Sequence, residues 1–480
     1  MAWCTAENHT GIPTHRGENK HRRDAEAGLE VLPAPHSGSP LCASSSPTPS
    51  SSSSPLTQSC SWKGGGGRYA EGAEFTWPSR VLYFIMNSLS EANDAFAIRL
   101  LKVLGQKYPA CNVFYSPLSL SSSLARALLG AKGKTAAEII QALALNTEDD
   151  IHQGFQSLLT QVHKSGAPFT FNIAKRLYAD QSCIFLPSFK ESCPKFYETE
   201  LEQLSFIKET ERSRKHINAW VSTKTEELLP QKAVDVGTRL VLVNAVYFKG
   251  RWDKQFQKSR TKKTPFKINQ MKQKRTQMMF QEGTFPWAHV SEVQAQVLEL
   301  PYAGQELSMI LLLPDKGVDL STVEKAFTFD KFRTWTSPEH MKKTKMEVYL
   351  PKFKLQGDYN MRYELQDVGL VDLFDCQQPD LSGMFWRFPH GDQCLSLLQH
   401  KTVLEVSEEG TEATASACEI EGSCARSLPV FRADHPFLFF IRHNSTNCLL
   451  FCGRILSPGG VRSLCTQALP SFPPHPIQTP

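Results

Sequence analysis

The sequence changes character at Met86, and this change limits what the chain can fold into. Residues 1–85 contain a run of serine and proline at 44–55 and four consecutive glycines at 64–67. Such a composition cannot bury enough apolar surface to offset the conformational entropy of the chain. We therefore expect residues 1–85 to be a disordered extension, and the proline-rich residues 459–480 to be another.

Between these ends, residues 86–458 alternate helical and strand patterns and show no internal repeat. Helical spacing of apolar residues predicts helices at 95–104, capped by Asn93 or Asp94, at 116–131 with Ser116 as cap, and at 217–229. Runs of β-branched, aromatic and aliphatic residues predict strands at 240–248, 296–299, 307–313, 347–350, 436–441 and 448–453. Helices mostly early and strands mostly late are typical of one α+β domain with large, mostly antiparallel sheets.

The charge and hydropathy of the chain exclude several classes of partner. It has 53 basic and 48 acidic residues and a formal charge of +5, which is too balanced for a nucleic-acid-binding protein. Its apolar runs, such as 307–313 and 436–441, are far shorter than the roughly 20 residues that span a bilayer. The first thirty residues have no apolar run, so we expect no secretory signal.

Thirteen cysteines are scattered along the chain without the spacing of a disulfide framework or a zinc site. We expect free thiols in a reducing compartment. Cys448 and Cys452 are four residues apart in a predicted strand, which indicates core thiols because no further metal ligands stand at suitable spacing. No metal site and no cofactor are predicted.

The sequence also lacks the motifs of a protease. It contains no Gly-x-Ser-x-Gly, no His-Glu-x-x-His and no Cys-Gly-[Ser/Ala]-Cys, and its histidines cannot be assigned to a catalytic triad. We predict no catalytic residues and no enzymatic activity.

The segment after the predicted strand ending near Val406 has an unusual alternation. Small residues stand at every second position, namely Thr411, Ala413, Ala415 and Ala417. If this segment became a strand, one of its faces could enter a packed sheet at little steric cost, and Gly410 would be a flexible joint at its root. Composition alone favours a plain surface loop of small polar residues.

Residues 408–415, Glu-Glu-Gly-Thr-Glu-Ala-Thr-Ala, resemble the reactive-loop hinge of inhibitory serpins. Segments 112–119, 242–250, 298–302, 350–353, 434–442 and 451–454 also resemble serpin segments, in the family's order. The resemblance covers Met86 to Pro458 and is strongest to the ovalbumin-type members, clade B, among which a cytosolic inhibitor of granzyme B is nearest. It implies a serpin fold, with helices packed on three largely antiparallel sheets and an exposed reactive-centre loop.

The resemblance implies a suicide inhibitor of serine endopeptidases. The protease is acylated at the reactive bond, and the cut loop then inserts into the large sheet as a new strand. Counted along the family pattern, the bond lies between Cys424 and Ala425, with Arg426 as the rival bait. The hinge comprises Glu408, Glu409, Gly410, Thr411, Glu412, Ala413, Thr414 and Ala415.

The same resemblance implies the partner and the setting. The target protease would be a serine protease of the granzyme, chymotrypsin or elastase type, with a cysteine protease as the alternative. Neither a nucleic acid nor a membrane is expected as a partner, and the chain would act as a monomer. The cytoplasm is the expected location, with the nucleus and non-classical release as alternatives.

A second function stays open at this point, namely a non-inhibitory serpin-fold protein that is cleaved as a plain substrate or acts as a binding partner. Glu419 and Glu421 continue the parity of the small residues, and a buried carboxylate without a partner is costly. Arg126 stands where the family has an apolar residue in a central helix. Its side chain would either extend to the surface or destabilise the core.

Overall fold

The computed structural model describes residues 79–163, 169–222, 228–377, 379–387, 394–409 and 428–459. Contacts divide the chain into Met1–Ala73 and Glu74–Pro480, and every described residue belongs to the second unit.

The helices of the described ranges lie mostly in the first half of the fold. They are α1 (Ser79–Lys107), α2 (Pro117–Leu128), α3 (Gly133–Leu143), α4 (Ile151–Val162), α5 (Pro187–Tyr197), α6 (Thr210–Ser222), α7 (Leu320–Ala326), α8 (Phe329–Trp335) and α9 (Arg362–Gln366). Short 3-10 turns lie at Lys258–Arg260 and Asp372–Phe374. None of these helices is long and apolar enough to cross a membrane.

The strands dominate the second half. They are β1 (Val113–Tyr115), β2 (Phe169–Asp180), β3 (Ile184–Phe185), β4 (Glu200–Leu204), β5 (Leu240–Gly250), β6 (Lys262–Lys267), β7 (Gln273–Val290), β8 (Ala295–Pro301), β9 (Leu307–Pro314), β10 (Lys342–Pro351), β11 (Phe353–Asn360), β12 (Phe385–Arg387), β13 (Leu397–Val406), β14 (Val430–Arg432), β15 (Phe437–His443) and β16 (Cys448–Ile455). All six predicted strands fall within β5, β8, β9, β10, β15 and β16, although 436–441 begins one residue too early.

Three sheets organise the described strands. A nine-stranded sheet has the order β1-β16-β15-β9-β8-β7-β10-β14, with β6 paired to β7. A five-stranded sheet has the order β11-β13-β5-β2-β4, and β12 pairs with β3. Most pairs are antiparallel, so the expected α+β architecture is confirmed; the parallel pairs include β13–β5 and β10–β14.

Aromatic side chains pack between the two large sheets. Phe114 of β1 stacks on Phe451 of β16 at 5.3 Å between ring centroids, and Phe451 also meets Phe248 of β5 at 5.5 Å. All three are fully buried. Burial of a phenylalanine stabilises a fold by about 2 kcal/mol, so these contacts hold the five-stranded sheet against its neighbour.

The first helix differs from its prediction. Asn93 and Asp94 do not cap it, because they lie in the middle of α1 and are buried against β16. The Leu449 backbone N–H donates to Asp94 Oδ1 at 2.8 Å, and Asn93 Nδ2 donates to the Leu449 carbonyl at 3.0 Å. The helix begins at Ser79 and buries Ile85, so the boundary expected at Met86 falls inside α1.

Two other predicted helices have their ends shifted. Ser116 caps α2 as predicted, but the helix ends at Leu128, three residues early. Helix α6 starts before the predicted residue 217 and does not reach Leu229, because the Asn218 side chain accepts the backbone N–H of Leu229 at 2.7 Å.

The cysteines follow the prediction only in part. Cys183, Cys193, Cys448 and Cys452 are free and buried, as expected of core thiols. Cys376 and Cys394 form a disulfide, so the expectation of free thiols is wrong for this pair. Their 18-residue separation matches no standard framework, which is why sequence spacing did not reveal them.

Candidate functional site

Strands β13 and β5 are neighbours in the middle of the five-stranded sheet and run parallel. Their register pairs Leu397 with Val241 at one end and Leu404 with Phe248 at the other. Parallel pairing is slightly less stable per residue than antiparallel pairing. We call the line along which these two strands pair the β13–β5 seam. A segment that leaves the end of β13, reverses and enters this seam would run antiparallel to both strands. The seam therefore suits one more strand, and residues 407–409 are where such a segment begins.

Aromatic and backbone contacts fix the root of this segment. The Trp252 indole N–H donates to the Ser407 carbonyl at 2.9 Å, and the Phe256 backbone N–H donates to the Glu408 carbonyl at 3.0 Å. Trp252 itself stacks on Tyr302 with ring centroids 4.5 Å apart. These contacts thus fix the path of the chain as far as Glu408.

Glu408 is only 6% exposed, and polar partners compensate for the burial of its carboxylate. Lys352 Nζ, just after β10, donates to Glu408 Oε2 at 2.8 Å, and Thr261 Oγ1 donates to Oε1 at 2.9 Å. Burial acts to raise the pKa of Glu408, but these hydrogen bonds and the charge of Lys352 outweigh it and hold that pKa below its usual value. The next residue, Glu409, forms an ion pair with Lys258.

Glu408 and Glu409 are the predicted hinge residues that the structure describes. The other predicted site residues lie outside the described residues: Gly410, Thr411, Glu412, Ala413, Thr414, Ala415, Cys424, Ala425 and Arg426. Their assignments therefore stay predictions.

The chain is described again from residue 428, and here it joins the other large sheet. β14 pairs parallel with β10, and the Glu347 backbone N–H donates to the Pro429 carbonyl at 2.9 Å. The Arg432 guanidinium stacks on the Tyr349 ring, with its central carbon 3.5 Å from the ring centroid. The segment is thus tethered at its two ends to two different sheets.

A layer of polar groups from α2 lies under the seam. His400 of β13 and Asn244 of β5 are register partners across it. The Ser116 backbone N–H donates to His400 Nε2 at 3.0 Å, and Ser123 Oγ donates to Asn244 Oδ1 at 2.8 Å. One helix therefore holds both strands, and separation of the seam must break or rearrange these bonds.

His400 is fully buried, and burial lowers its pKa to about 3. As the acceptor of the Ser116 N–H, Nε2 carries no proton, so the proton of the neutral ring is on Nδ1. Nδ1 of His400 and Nδ2 of Asn244 have no hydrogen-bond partner among the described residues. The seam thus holds polar groups that its present packing leaves unsatisfied.

Sequence reasoning missed this polar layer and the Lys352 contact. Polar residues in a predicted strand or helix are ordinarily assigned to its solvent face, and the partners here are more than 50 residues apart in sequence. One available signal was the serine triplet at 121–123 inside an otherwise apolar helix pattern. Its hydroxyls are buried.

Arg126 does not extend to the surface, so that alternative is wrong. The residue is 1% exposed, at the end of α2 among apolar side chains that include Leu177, Phe189 and Leu242. Its three guanidinium nitrogens have no hydrogen-bond partner among the described residues. Burial lowers the pKa of Arg126, and burial together with the Arg126 charge lowers the pKa of Lys175 to about 7.

A family model described as "Serpin (serine protease inhibitor)" matches residues 91–458. Among curated proteins, the chain is 57% identical over 379 residues to Serpin B9 of Homo sapiens, and the alignment covers 78% of this chain and all of that protein. It is 52% identical over 378 residues to Serpin B8 of Bos taurus, with the same coverage. The human leukocyte elastase inhibitor is 43% identical over 383 residues, again with this coverage.

Solved structures agree with this match. Uncleaved ovalbumin superimposes with a TM-score of 0.72 at 34% identity, covering 77% of this chain and all of that one. The structure of a tumour-suppressing serpin gives a TM-score of 0.71 at 35% identity, covering 78% of this chain and all of that one.

Proposed function

Because the chain belongs to the serpin family, we propose that it inhibits serine endopeptidases as a suicide substrate. The protease attacks a loop bond, becomes acylated, and is carried along when the cut loop enters the β13–β5 seam. Insertion is favourable because it replaces one parallel pair of strands by two antiparallel pairs.

The observation that carries this proposal is the arrangement of the seam. β13 and β5 are parallel neighbours, and the chain leaves β13 at the end of the pairing where Leu404 lies opposite Phe248. The other end of the loop is fixed to β10 in a different sheet. As long as the loop is intact, this second tether opposes insertion, so cleavage is the trigger.

We place the reactive bond between Cys424 and Ala425. The protease serine attacks the Cys424 carbonyl carbon, the bond to the Ala425 nitrogen breaks, and that nitrogen leaves with a proton from the protease. Residues 410–424 then supply about 50 Å of extended chain. Cleavage after Arg426 is the rival event, and it adds two residues to the inserting strand.

Cys424 is a medium-sized apolar side chain, which suits the primary pocket of an elastase-like, chymotrypsin-like or granzyme-like serine protease. The name of the relative called leukocyte elastase inhibitor supports this class. A cysteine protease is the alternative target. The chain would act as a monomer without enzymatic activity of its own.

A cytoplasmic site of action is part of the proposal and rests on the similarity to clade B serpins. Fractionation of expressing cells tests it. Recovery of the protein only from the medium or a membrane-enclosed fraction would contradict it.

A non-inhibitory role stays the second candidate, because Glu419 and Glu421 share the parity of the small residues and would oppose full insertion.

The test is to mix the full chain with elastase, chymotrypsin and granzyme-type proteases and to analyse the products on denaturing gels. We expect a detergent-stable complex and a released peptide that begins at Ala425 by mass spectrometry. A peptide that begins at Ser427 would transfer the bait to Arg426. Clean cleavage without complex would make the protein a plain substrate.

A further inference from the structure

One segment concentrates the positive charge of the chain. From Lys254 to Arg275 the sequence has nine basic residues and no acidic residue, whereas the formal charge of the whole chain is only +5. All nine are exposed. Most of them lie on β6 and the start of β7, and we call residues 262–278 the cationic hairpin.

Three basic side chains of the cationic hairpin lie on one face. Side chains alternate along a strand, and Phe266 is fully buried, so Lys263 and Lys267 face the opposite side to it. The register pairs Pro265 with Arg275, which places Arg275 between the two lysines on the neighbouring strand. Lys263 and Lys267 are roughly 13 Å apart along β6.

Two basic residues that precede the cationic hairpin have partners, whereas the three on this face have none among the described residues. Lys258 has an ion pair with Glu409, and Arg260 stacks on Phe280. For Lys263, Lys267 and Arg275, the described part of the chain provides neither an ion pair nor a side-chain hydrogen bond. Three like charges on one exposed face create a field that attracts an acidic surface.

The hairpin lies between the two roots of the loop. On one side, Thr261 directly precedes β6 and bonds to Glu408. On the other side, the Lys267 backbone N–H donates to the Asp434 carbonyl at 2.8 Å, two residues beyond β14. A protein that grips the loop between these roots is therefore brought over the cationic hairpin.

We propose that Lys263, Lys267 and Arg275 form a second contact site for the target protease and select enzymes with an acidic surface beside the catalytic cleft. This inference rests on the proposed function and adds a property of the target. The position between the two loop roots favours a protease over a free polyanion as the occupant. Long-range charge acts mainly on the rate of encounter, so the site sets how fast a protease is captured, while the bait residue sets what is cut.

The test uses the full chain and pancreatic elastase in two surface forms, one with glutamate and one with lysine at the same three positions on the rim of its cleft. The inhibitor variant is Lys263→Glu/Lys267→Glu/Arg275→Glu. It keeps charged side chains on the edge strand β6, where charge also opposes unwanted strand pairing. The matched control, Lys190→Glu/Lys208→Glu/Lys215→Glu, makes the same change in net charge at exposed residues elsewhere.

At low salt we expect the wild-type chain to react at least about ten-fold faster with the glutamate form than with the lysine form. The hairpin variant should reverse this order, the control variant should keep it, and about 1 M salt should remove the difference. The same rate ratio in all three proteins would overturn the inference. A heparin column then tests for a different occupant. If the rate ratio is unchanged and only the hairpin variant loses retention on heparin, the cationic hairpin binds a polyanion and the inference is also overturned.

Failure of the proposed function gives a different result. If elastase only cuts the loop and no stable complex forms, the inhibitor hypothesis is wrong, but the rate of cutting still depends on encounter. The cleavage rates of the same three proteins then decide whether the second contact site exists.

Discussion

At the level of single residues, Arg126 is a buried charge whose guanidinium has no hydrogen-bond partner among the described residues. Replacement of a buried ion pair by apolar side chains of similar volume is often neutral or stabilising by about 1–4 kcal/mol, and an unpaired buried charge has no attraction to lose. We expect Arg126→Leu to raise the thermal midpoint by several degrees at a fixed scan rate. Arg126→Lys keeps a buried cation and should bring no gain. A lower midpoint for the leucine variant would mean that an unseen partner satisfies the guanidinium.

His400 makes the stability of the fold depend on pH. Its pKa is about 3 in the folded chain and about 6.5 when unfolded, so the unfolded state binds more protons between these values. Its stabilising contribution is complete above pH 6.5 and is lost as the pH falls toward 3. His163, whose pKa burial lowers to about 4, acts in the same direction.

His400→Gln keeps an acceptor for the Ser116 N–H but cannot titrate. Between pH 7.5 and 5.5 the wild type should lose about 1 kcal/mol more unfolding free energy than this variant, because only the unfolded chain takes up a proton at His400 in this range. Urea unfolding at the two pH values measures the difference. Equal losses would show that His400 is not what makes the seam sensitive to acid.

At the level of elements, the root of the loop depends on Lys352. Lys352→Met removes the cation beside the buried Glu408 carboxylate, which keeps the Thr261 hydroxyl and a backbone hydrogen bond. Partial access of water moderates the cost to about 1–3 kcal/mol. We expect a lower thermal midpoint and a greater tendency to polymerise on gentle heating, measured on native gels. Lys342→Met, an exposed lysine of β10 without an ion pair among the described residues, should behave as wild type.

Insertion of the loop leads to a second prediction for elements. Suppose that residues 411–421 enter the sheet as a strand and that Thr411 faces the interior. Glu419 and Glu421 then face the interior as well, because side chains alternate along a strand. Glu419→Ala/Glu421→Ala should then lower the number of inhibitor molecules used per inhibited protease toward one, as determined by titration of residual activity. Glu412→Ala, of opposite parity, is the matched control. A double variant with unchanged stoichiometry would show that these carboxylates do not hinder insertion.

The strands were predictable because a half-buried or buried strand has a local signature of β-branched and aliphatic residues, as in β5 and β9. The start of α1 was not, because Asn93 and Asp94 look like a cap locally and only the distant Leu449 explains their place inside a helix. The same holds for the site. The hinge is predicted from its motif and stays a prediction, whereas the contacts of Lys352 and His400 join residues far apart in sequence and have no local signature.

At the level of the whole molecule, the question is where the folded unit begins. Ile85 is buried against α4, where Gly154 leaves room for it. A protein that starts at Ser79 should have the thermal midpoint of the full chain. One that starts at Met86 loses the burial of Ile85, worth about 2 kcal/mol, and should melt a few degrees lower. Equal midpoints would return the boundary to Met86.

The two ends of the loop are fixed to different sheets, so the loop must be cut before it can insert. This requirement limits the supply of active inhibitor. A chain that must be cut in order to act cannot be restored, since no step in the mechanism rejoins the two parts of the cut loop. Each molecule is therefore spent on a single encounter, whether it captures the protease or is wasted as substrate. The amount of protease that can be inhibited is then limited by the number of intact inhibitor molecules. That number depends on how quickly new chains are synthesised and old ones degraded.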